Sequence, residues 1–239
     1  MTRHNGVRFD WGQDGVRRLA PVCDALVIVD VLSFSTAVDI AVGRGARVFP
    51  CGESEAATAL AEQVGAIAPA RRGEGPSLSP ASLDELNPGD AIVLPSPNGA
   101  ACSLEAARSS ATVAAGCLRN ARAVARWARA YEAVGIIGAG ELTSRGGLRR
   151  CAEDLAGAAA ILSRLERDDL SPGACGVVAA AADLDRDAER ALHGCMSAHE
   201  LQARGFGEDV ALAFQLDVST TVPVMSEGSY RALSEAADA

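Results

Sequence analysis

The chain contains no lysine: all 22 of its lysine-plus-arginine residues are arginine. That absence removes P-loop lysine chemistry, Schiff bases and any lysine-dependent triad at once. An anion bound here must be held by arginine, backbone N–H groups and hydroxyls. Histidine is scarce, with only His4, His193 and His199, and none stands beside the strand-end loops described below. A zinc centre or a Ser-His-Asp triad is therefore not expected. Aromatic residues are 4% of the chain, and alanine dominates the apolar set, a composition suited to helices packed closely on a Val/Ile sheet. The seven cysteines are odd in number and form no Cys-x-x-Cys pair, so they read as small buried hydrophobes in a reducing compartment. No run reaches the roughly 20 apolar residues of a membrane span. Residues Met1 to Gly6 lack the apolar core of a signal peptide, and the expected location is the cytoplasm. A net charge of −9 argues against nucleic acid or an anionic membrane as partner.

What is present is an alternation of strand and helix patterns over 239 residues, with 49% hydrophobic residues. Ala25 to Val31 is an unbroken apolar run interrupted only by Asp30, as expected of a strand buried on both faces. Ser33-Phe-Ser-Thr36 then opens a helix that Gly43 and Gly45 close. Further strands are expected at 46–49, 91–94, 112–115 and 133–137, and helices at 53–64, 100–107, 120–131 and 151–165. Residues 69–88 read as a long irregular loop, which in a compact domain usually carries function. Residues 171–216 read as mainly helical, followed by an extended 221–225 and a polar tail. The expected fold class is α/β, a three-layer α/β/α arrangement on a mostly parallel or mixed sheet, in a single domain spanning 1–239. Residues 1–20 and 229–239 are expected to be peripheral.

In such folds ligands bind beyond the carboxyl ends of strands. Asp30 ends the first such strand, and a buried acid there is costly unless it is paired or metal-bound. Ser33, Ser35 and Thr36 follow it at a helix start, where hydroxyls and free N–H groups make an anion pocket or, more plainly, cap the helix. Haloacid-dehalogenase phosphatases need a second aspartate two positions on, where Leu32 stands, so Asp30 suits a metal ligand or orienting base better than that family's nucleophile. Asn98 and Gly99 form a sharp turn able to cradle an oxyanion. Glu153 and Asp154 lie in the first turn of a helix, either as dipole partners or, with Asp30, as ligands to a hard cation such as Mg²⁺. Arg71 and Arg72 could clamp a phosphate or sulfonate from the long loop. Gly138-Ala-Gly140 lacks the third glycine and the immediate helix of a dinucleotide fingerprint.

In order and spacing these pieces resemble the 2-phosphosulfolactate phosphatase family. The resemblance rests on Val29-Asp-Val-Leu-Ser-Phe-Ser-Thr-Ala37, Pro97-Asn98-Gly99-Ala100, Cys117-Leu-Arg-Asn-Ala121, Ala139-Gly140, Glu153-Asp154 with Gly157, Glu208-Asp209-Val210, Asp217 and Val222-Pro223-Val224. It runs from about Ala25 to Gly228. It implies a three-layer α/β/α phosphoric monoester hydrolase that uses Mg²⁺ in coenzyme M biosynthesis and acts on a small anionic phosphate ester, 2-phosphosulfolactate or a related 2-phospho-hydroxy acid. Catalysis would fall to Asp30 and Glu153, the metal to Asp30, Glu153 and Asp154, and substrate binding to Ser33, Ser35, Thr36, Arg71, Arg72, Asn98 and Gly99. Ser33 stands where the family usually carries arginine, and the family's Gly-Asn-Ser-Pro element is reduced to Leu78-Ser79-Pro80. A homo-oligomer is expected. The rival readings are an isochorismatase-like hydrolase, whose triad needs a lysine that this chain lacks, and a non-catalytic anion-binding protein on the same fold.

Overall fold

The computed structural model describes residues 5–182 and 192–233. His4 and residues 183–191 of the expected helical stretch lie outside the described residues. Ten strands are described: β1 Gly6–Trp11, β2 Ala25–Val29, β3 Arg47–Cys51, β4 Ala91–Pro95, β5 Thr112–Gly116, β6 Ala133–Gly138, β7 Glu141–Leu142, β8 Leu148–Arg149, β9 Pro223–Ser226 and β10 Ser229–Ala232. Helices α1 Gly12–Leu19, α2 Phe34–Gly43, α3 Ala57–Val64, α4 Gly99–Ala106, α5 Ala121–Ala128 and α6 Ala152–Arg164 alternate with them. Three more, α7 Pro172–Ala182, α8 Met196–Ala203 and α9 Gly207–Ala213, precede β9.

Eight strands make one mixed sheet in the order β1-β6-β2-β5-β9-β10-β3-β4, and β7 and β8 form a separate two-stranded hairpin. The expected α/β class with a mixed sheet is what the chain adopts. All five residues of β2 are buried. Its alternate side chains feed two cores: Leu26 and Ile28 pack with α1, α2 and α4 residues such as Val16, Val38 and Ala100. Val27 and Val29 pack with α5 and α6 residues such as Val124 and Ile161 on the other face. A strand covered by helices on both sides has no polar face, and this is why its sequence shows no alternation.

The sheet consists of two parallel blocks. β1, β6, β2 and β5 pair in parallel, as do β3 and β4. The β9–β10 hairpin joins them with antiparallel pairings, Ala114 to Val224 on one side and Tyr230 to Val48 on the other. Of the two stretches expected to be peripheral, the first holds the edge strand β1 and the second holds β10, which is not at an edge. Gly6–Trp11 pairs residue for residue with β6, and β10 lies inside the sheet. Tyr230 is fully buried, and its hydroxyl donates to Ser103 Oγ at 2.7 Å, which donates in turn to the Gly99 carbonyl at 2.7 Å. The loop expected over residues 69–88 contains a 3₁₀ turn at Pro80–Glu85. All seven cysteines are free thiols, five of them buried, in keeping with the expected role as small core residues.

Tyr230→Phe should cost about 1 kcal/mol by removing one buried hydrogen bond. Tyr230→Ala should cost about 3–5 kcal/mol through the cavity left at the junction of the two blocks. Equilibrium urea unfolding checks both values.

Candidate active site

β2 ends at Val29, and the next residue, Asp30, is 5% exposed. Its carboxylate accepts hydrogen bonds from the first N–H of two helices. Phe34 N of α2 donates to Oδ1 at 3.2 Å, and Gly99 N of α4 donates to Oδ2 at 2.9 Å. Ser96 Oγ, just after β4, adds a donor to Oδ2 at 3.3 Å. β4 is the far edge strand of the sheet, yet α4 returns its N-terminus to the end of β2. The approach is tight: a Cβ at Gly99 would fall 2.6 Å from Asp30 Oδ2 and 2.6 Å from a Phe34 ring carbon.

The second acid, Asp154 in the first turn of α6, locks two strand ends together. Its Oδ1 accepts from Val31 N at 2.8 Å and its Oδ2 from Gly140 N, beyond β6, also at 2.8 Å. Gly157 lets α6 lie close on this strand end, since a Cβ there would come 2.7 Å from Val31 Cγ2 and 2.9 Å from Val29 Cγ1. Glu153, one residue before Asp154, is 2% exposed. Its Oε2 is buried and has no hydrogen-bond partner among the described residues.

The three acids act on one another electrostatically. Burial pushes the Asp30 carboxyl up to about 6, with Glu153 adding to the rise while the Phe34, Gly99 and Ser96 hydrogen bonds oppose it. Burial also raises Asp154 well above the usual carboxylate range, reinforced by the charges of Asp30 and Glu153. Three carboxyls in one dry place need protons or a cation to neutralise them. Among the described residues no group of three or more His, Cys, Asp and Glu side chains is arranged as a ready metal cage. Mg²⁺ does not require one, because it keeps several waters and is commonly held by one or two carboxylates. The all-oxygen donor set and the orphaned Glu153 Oε2 fit a hard cation of that kind. Both oxygens of Asp154 accept from backbone N–H groups, as both oxygens of Asp30 do, and each such oxygen keeps a further lone pair.

The expected substrate-binding residues divide. Arg72 reaches the site, where its Nη2 donates to Ser33 Oγ at 3.0 Å, and its side chain is 15% exposed. Arg71 is exposed, and the structure does not bring it to the acids. The Ser35 hydroxyl donates to the Ile28 carbonyl at 2.9 Å and the Thr36 hydroxyl to the Val31 carbonyl at 2.8 Å. Both protons are committed to the main chain, which corrects the expectation that these hydroxyls hold an oxyanion. The Gly99 N–H serves Asp30 and Ser96 Oγ in the same way. Asn98 accepts from Leu142 N of the β7–β8 hairpin at 2.9 Å, so its side-chain oxygen anchors that hairpin and its amide nitrogen is left as a donor. Ser96 was visible in the sequence only as part of a turn; its contact with Asp30 depends on the path of α4. Asp209, 1% exposed, binds Arg72; in the sequence it stood only within the Glu208-Asp209-Val210 element of the resemblance, with no role assigned.

No thiol near the acids is activated. Burial, reinforced by neighbouring acids, raises Cys102 and Cys195 to about 12, and Glu153 is the first acid acting on Cys195. A nucleophilic cysteine of the isochorismatase type is therefore not supported.

In metal-free protein kept in EDTA, the Asp30 contribution to stability should be fully present below pH about 4 and lost as pH rises through about 6, because the folded state holds the proton more tightly than the unfolded chain. A melting-temperature profile against pH checks this, and Asp30→Asn should lessen its slope, leaving the part that the raised Asp154 supplies. Glu153→Gln should leave stability unchanged or raised, since it removes a buried charge without removing a hydrogen bond to Oε2. Asp154→Asn should cost about 1–3 kcal/mol, because an amide cannot accept from both backbone donors. Urea titrations of the two variants distinguish these outcomes.

Residues 16–228 match the model of the protein family described as 2-phosphosulpholactate phosphatase. A search of curated proteins found no match.

Proposed function

The chain belongs to the 2-phosphosulpholactate phosphatase family and is thus a phosphoric monoester hydrolase, and we propose that it hydrolyses a small phosphorylated acid, 2-phosphosulfolactate or a related 2-phospho-hydroxy acid, with Mg²⁺ as cofactor. The observation that carries this reading is the buried, unpartnered Glu153 Oε2 beside Asp30 and Asp154, with an arginine at their rim. Such a place favours a cation among the acids and an anionic ester over them.

Asp30 and Glu153 would hold the ion, with Asp154 fixing the strand ends that carry them. When bound, Mg²⁺ supplies charge neutralisation at the phosphoryl oxygens and lowers the pKa of a nearby water. Asp30, fixed by three donors to its two oxygens, orients the attacking water and takes up its proton. The Asn98 amide and the Ser33 hydroxyl, both at helix starts where the dipole favours negative charge, would donate to phosphoryl oxygens. Arg72 takes the second anion of the substrate, and its fork can bind a carboxylate or a sulfonate through two N–H groups. The alcohol product, sulfolactate in the case of the first substrate, would then feed coenzyme M assembly.

Two features favour a cytoplasmic setting. No helix among the described residues is long and apolar enough to cross a membrane. All seven thiols are free, as in a reducing compartment.

The test is a phosphate-release screen over phosphorylated three-carbon acids, with Mg²⁺ or with EDTA. Turnover should require the metal, and Asp30→Asn should lower kcat by about 100-fold or more. Mg²⁺ should also raise the melting temperature of the wild type at pH 7.5, and less so at pH 5, where the proton competes for the acids. Glu153→Gln should abolish that rise. EDTA-resistant turnover, or an active Asp30→Asn protein, would refute the mechanism.

A further inference from the structure

Arg72 does not stand alone. Its Nη1 donates to Asp209 Oδ2 at 2.5 Å while Nη2 donates to Ser33 Oγ at 3.0 Å. Asp209 lies in the first turn of α9, far from Arg72 in sequence, and is 1% exposed. Its other oxygen accepts from Ser79 Oγ at 2.6 Å and from Ala81 N at 3.1 Å. One carboxylate therefore fastens both ends of the irregular segment, the arginine at its start and the 3₁₀ turn at its finish. The Phe206 ring lies 5.7 Å below the guanidinium and closes its lower side. Burial, with the nearby charge of Arg204 adding to it, lowers the Arg72 pKa, and the charge of Asp209 is the largest influence opposing that. Among the described residues, two of the five guanidinium N–H groups are engaged, one on Asp209 and one on Ser33, which leaves three to bind a ligand.

Without Asp209 the guanidinium would be free to rotate about a long side chain rooted in a loop. With it, the plane of the fork is set from behind, and its opposite edge is held at Ser33, three residues from Asp30. An arginine fixed in this way selects a planar or tripodal anion at one position. A freely rotating arginine only adds positive charge.

We propose that Asp209 is the positioning residue for substrate selection: through Arg72 it fixes the subsite for a second anion, carboxylate or sulfonate, and so distinguishes phosphorylated acids from simple phosphate monoesters. This deepens the phosphatase reading above and rests on it for the substrate, though not for the geometry.

The experiment compares wild type, Asp209→Asn, Arg72→Gln, the double variant and Arg72→Lys on 2-phospholactate and on phenyl phosphate, which has no second anion. Asp209→Asn should raise KM for 2-phospholactate about tenfold or more with a much smaller change in kcat, and leave KM for phenyl phosphate near wild type. The double variant should be no worse than Arg72→Gln, because both substitutions remove one interaction. Multiplying effects, or equal losses on both esters, would overturn the proposal. Arg72→Lys keeps the charge but loses the fork, so it should also raise KM for 2-phospholactate; a wild-type value would equally overturn it, even if Asp209→Asn proved unable to fold. Sulfoacetate binding by calorimetry needs no turnover and separates the two readings. An affinity lowered about tenfold in Asp209→Asn upholds the positioning role even if neither ester is hydrolysed, and an unchanged affinity removes it even if both are.

Discussion

Three carboxyl groups share one dry space at the end of β2, and the surrounding architecture is arranged to keep them there. The N-termini of α2 and α4 both point their first N–H groups at Asp30. Asp154, in the first turn of α6, spends its two oxygens on the backbone beyond β2 and β6. Helix starts carry partial positive charge, and backbone donors satisfy carboxylate oxygens, so two of the three acids can be buried with their hydrogen bonds complete. Glu153 is the exception. Its Oε2 has no hydrogen-bond partner among the described residues.

This constraint explains choices that otherwise look unrelated. Gly99 is glycine because any Cβ would meet both Asp30 and Phe34. Gly157 serves the same end on α6 against Val29 and Val31. Tyr230, distant in sequence, reaches Ser103 and through it the Gly99 carbonyl, so the hairpin that joins the two sheet blocks also steadies the start of α4. A second ion pair, Arg119 Nε to Asp39 Oδ2 at 3.1 Å with Ser219 Oγ donating to Oδ1 at 2.6 Å, fastens α2 to the segment leading into that hairpin. Stability and the site are therefore not separable here. The residues that close the sheet also aim the helices that hold the acids.

The interior elements were legible because burial on both faces leaves a plain mark: β2, β4, β5 and β6 appear as short apolar runs between helical patterns. β1 and β10 were not. Gly-Val-Arg-Phe-Asp-Trp and Ser-Tyr-Arg-Ala carry polar residues at every second or third position. β1 pairs with β6 far away in the chain, and β10, though paired with its neighbour β9, enters the sheet through distant β3. Strand pairing at that range leaves no local signature. At the site, the acids and Arg72 were readable from their positions at strand ends and in the long loop. The roles of Ser35, Thr36 and Gly99 were read too generously, since a hydroxyl or N–H at a helix start looks the same whether it faces a ligand or a neighbouring carbonyl or carboxylate.

By itself the sequence determined which side chains are on hand: the lack of lysine and the scarcity of histidine leave arginine, hydroxyls and carboxylates such as Asp30, Glu153 and Asp154. Only the tertiary structure decided which of these groups are free. Each donor and acceptor has a limited capacity, and how much of it is already used depends on neighbours more than 60 residues away, such as Gly99 for Asp30, Val31 for Asp154 and Asp209 for Arg72.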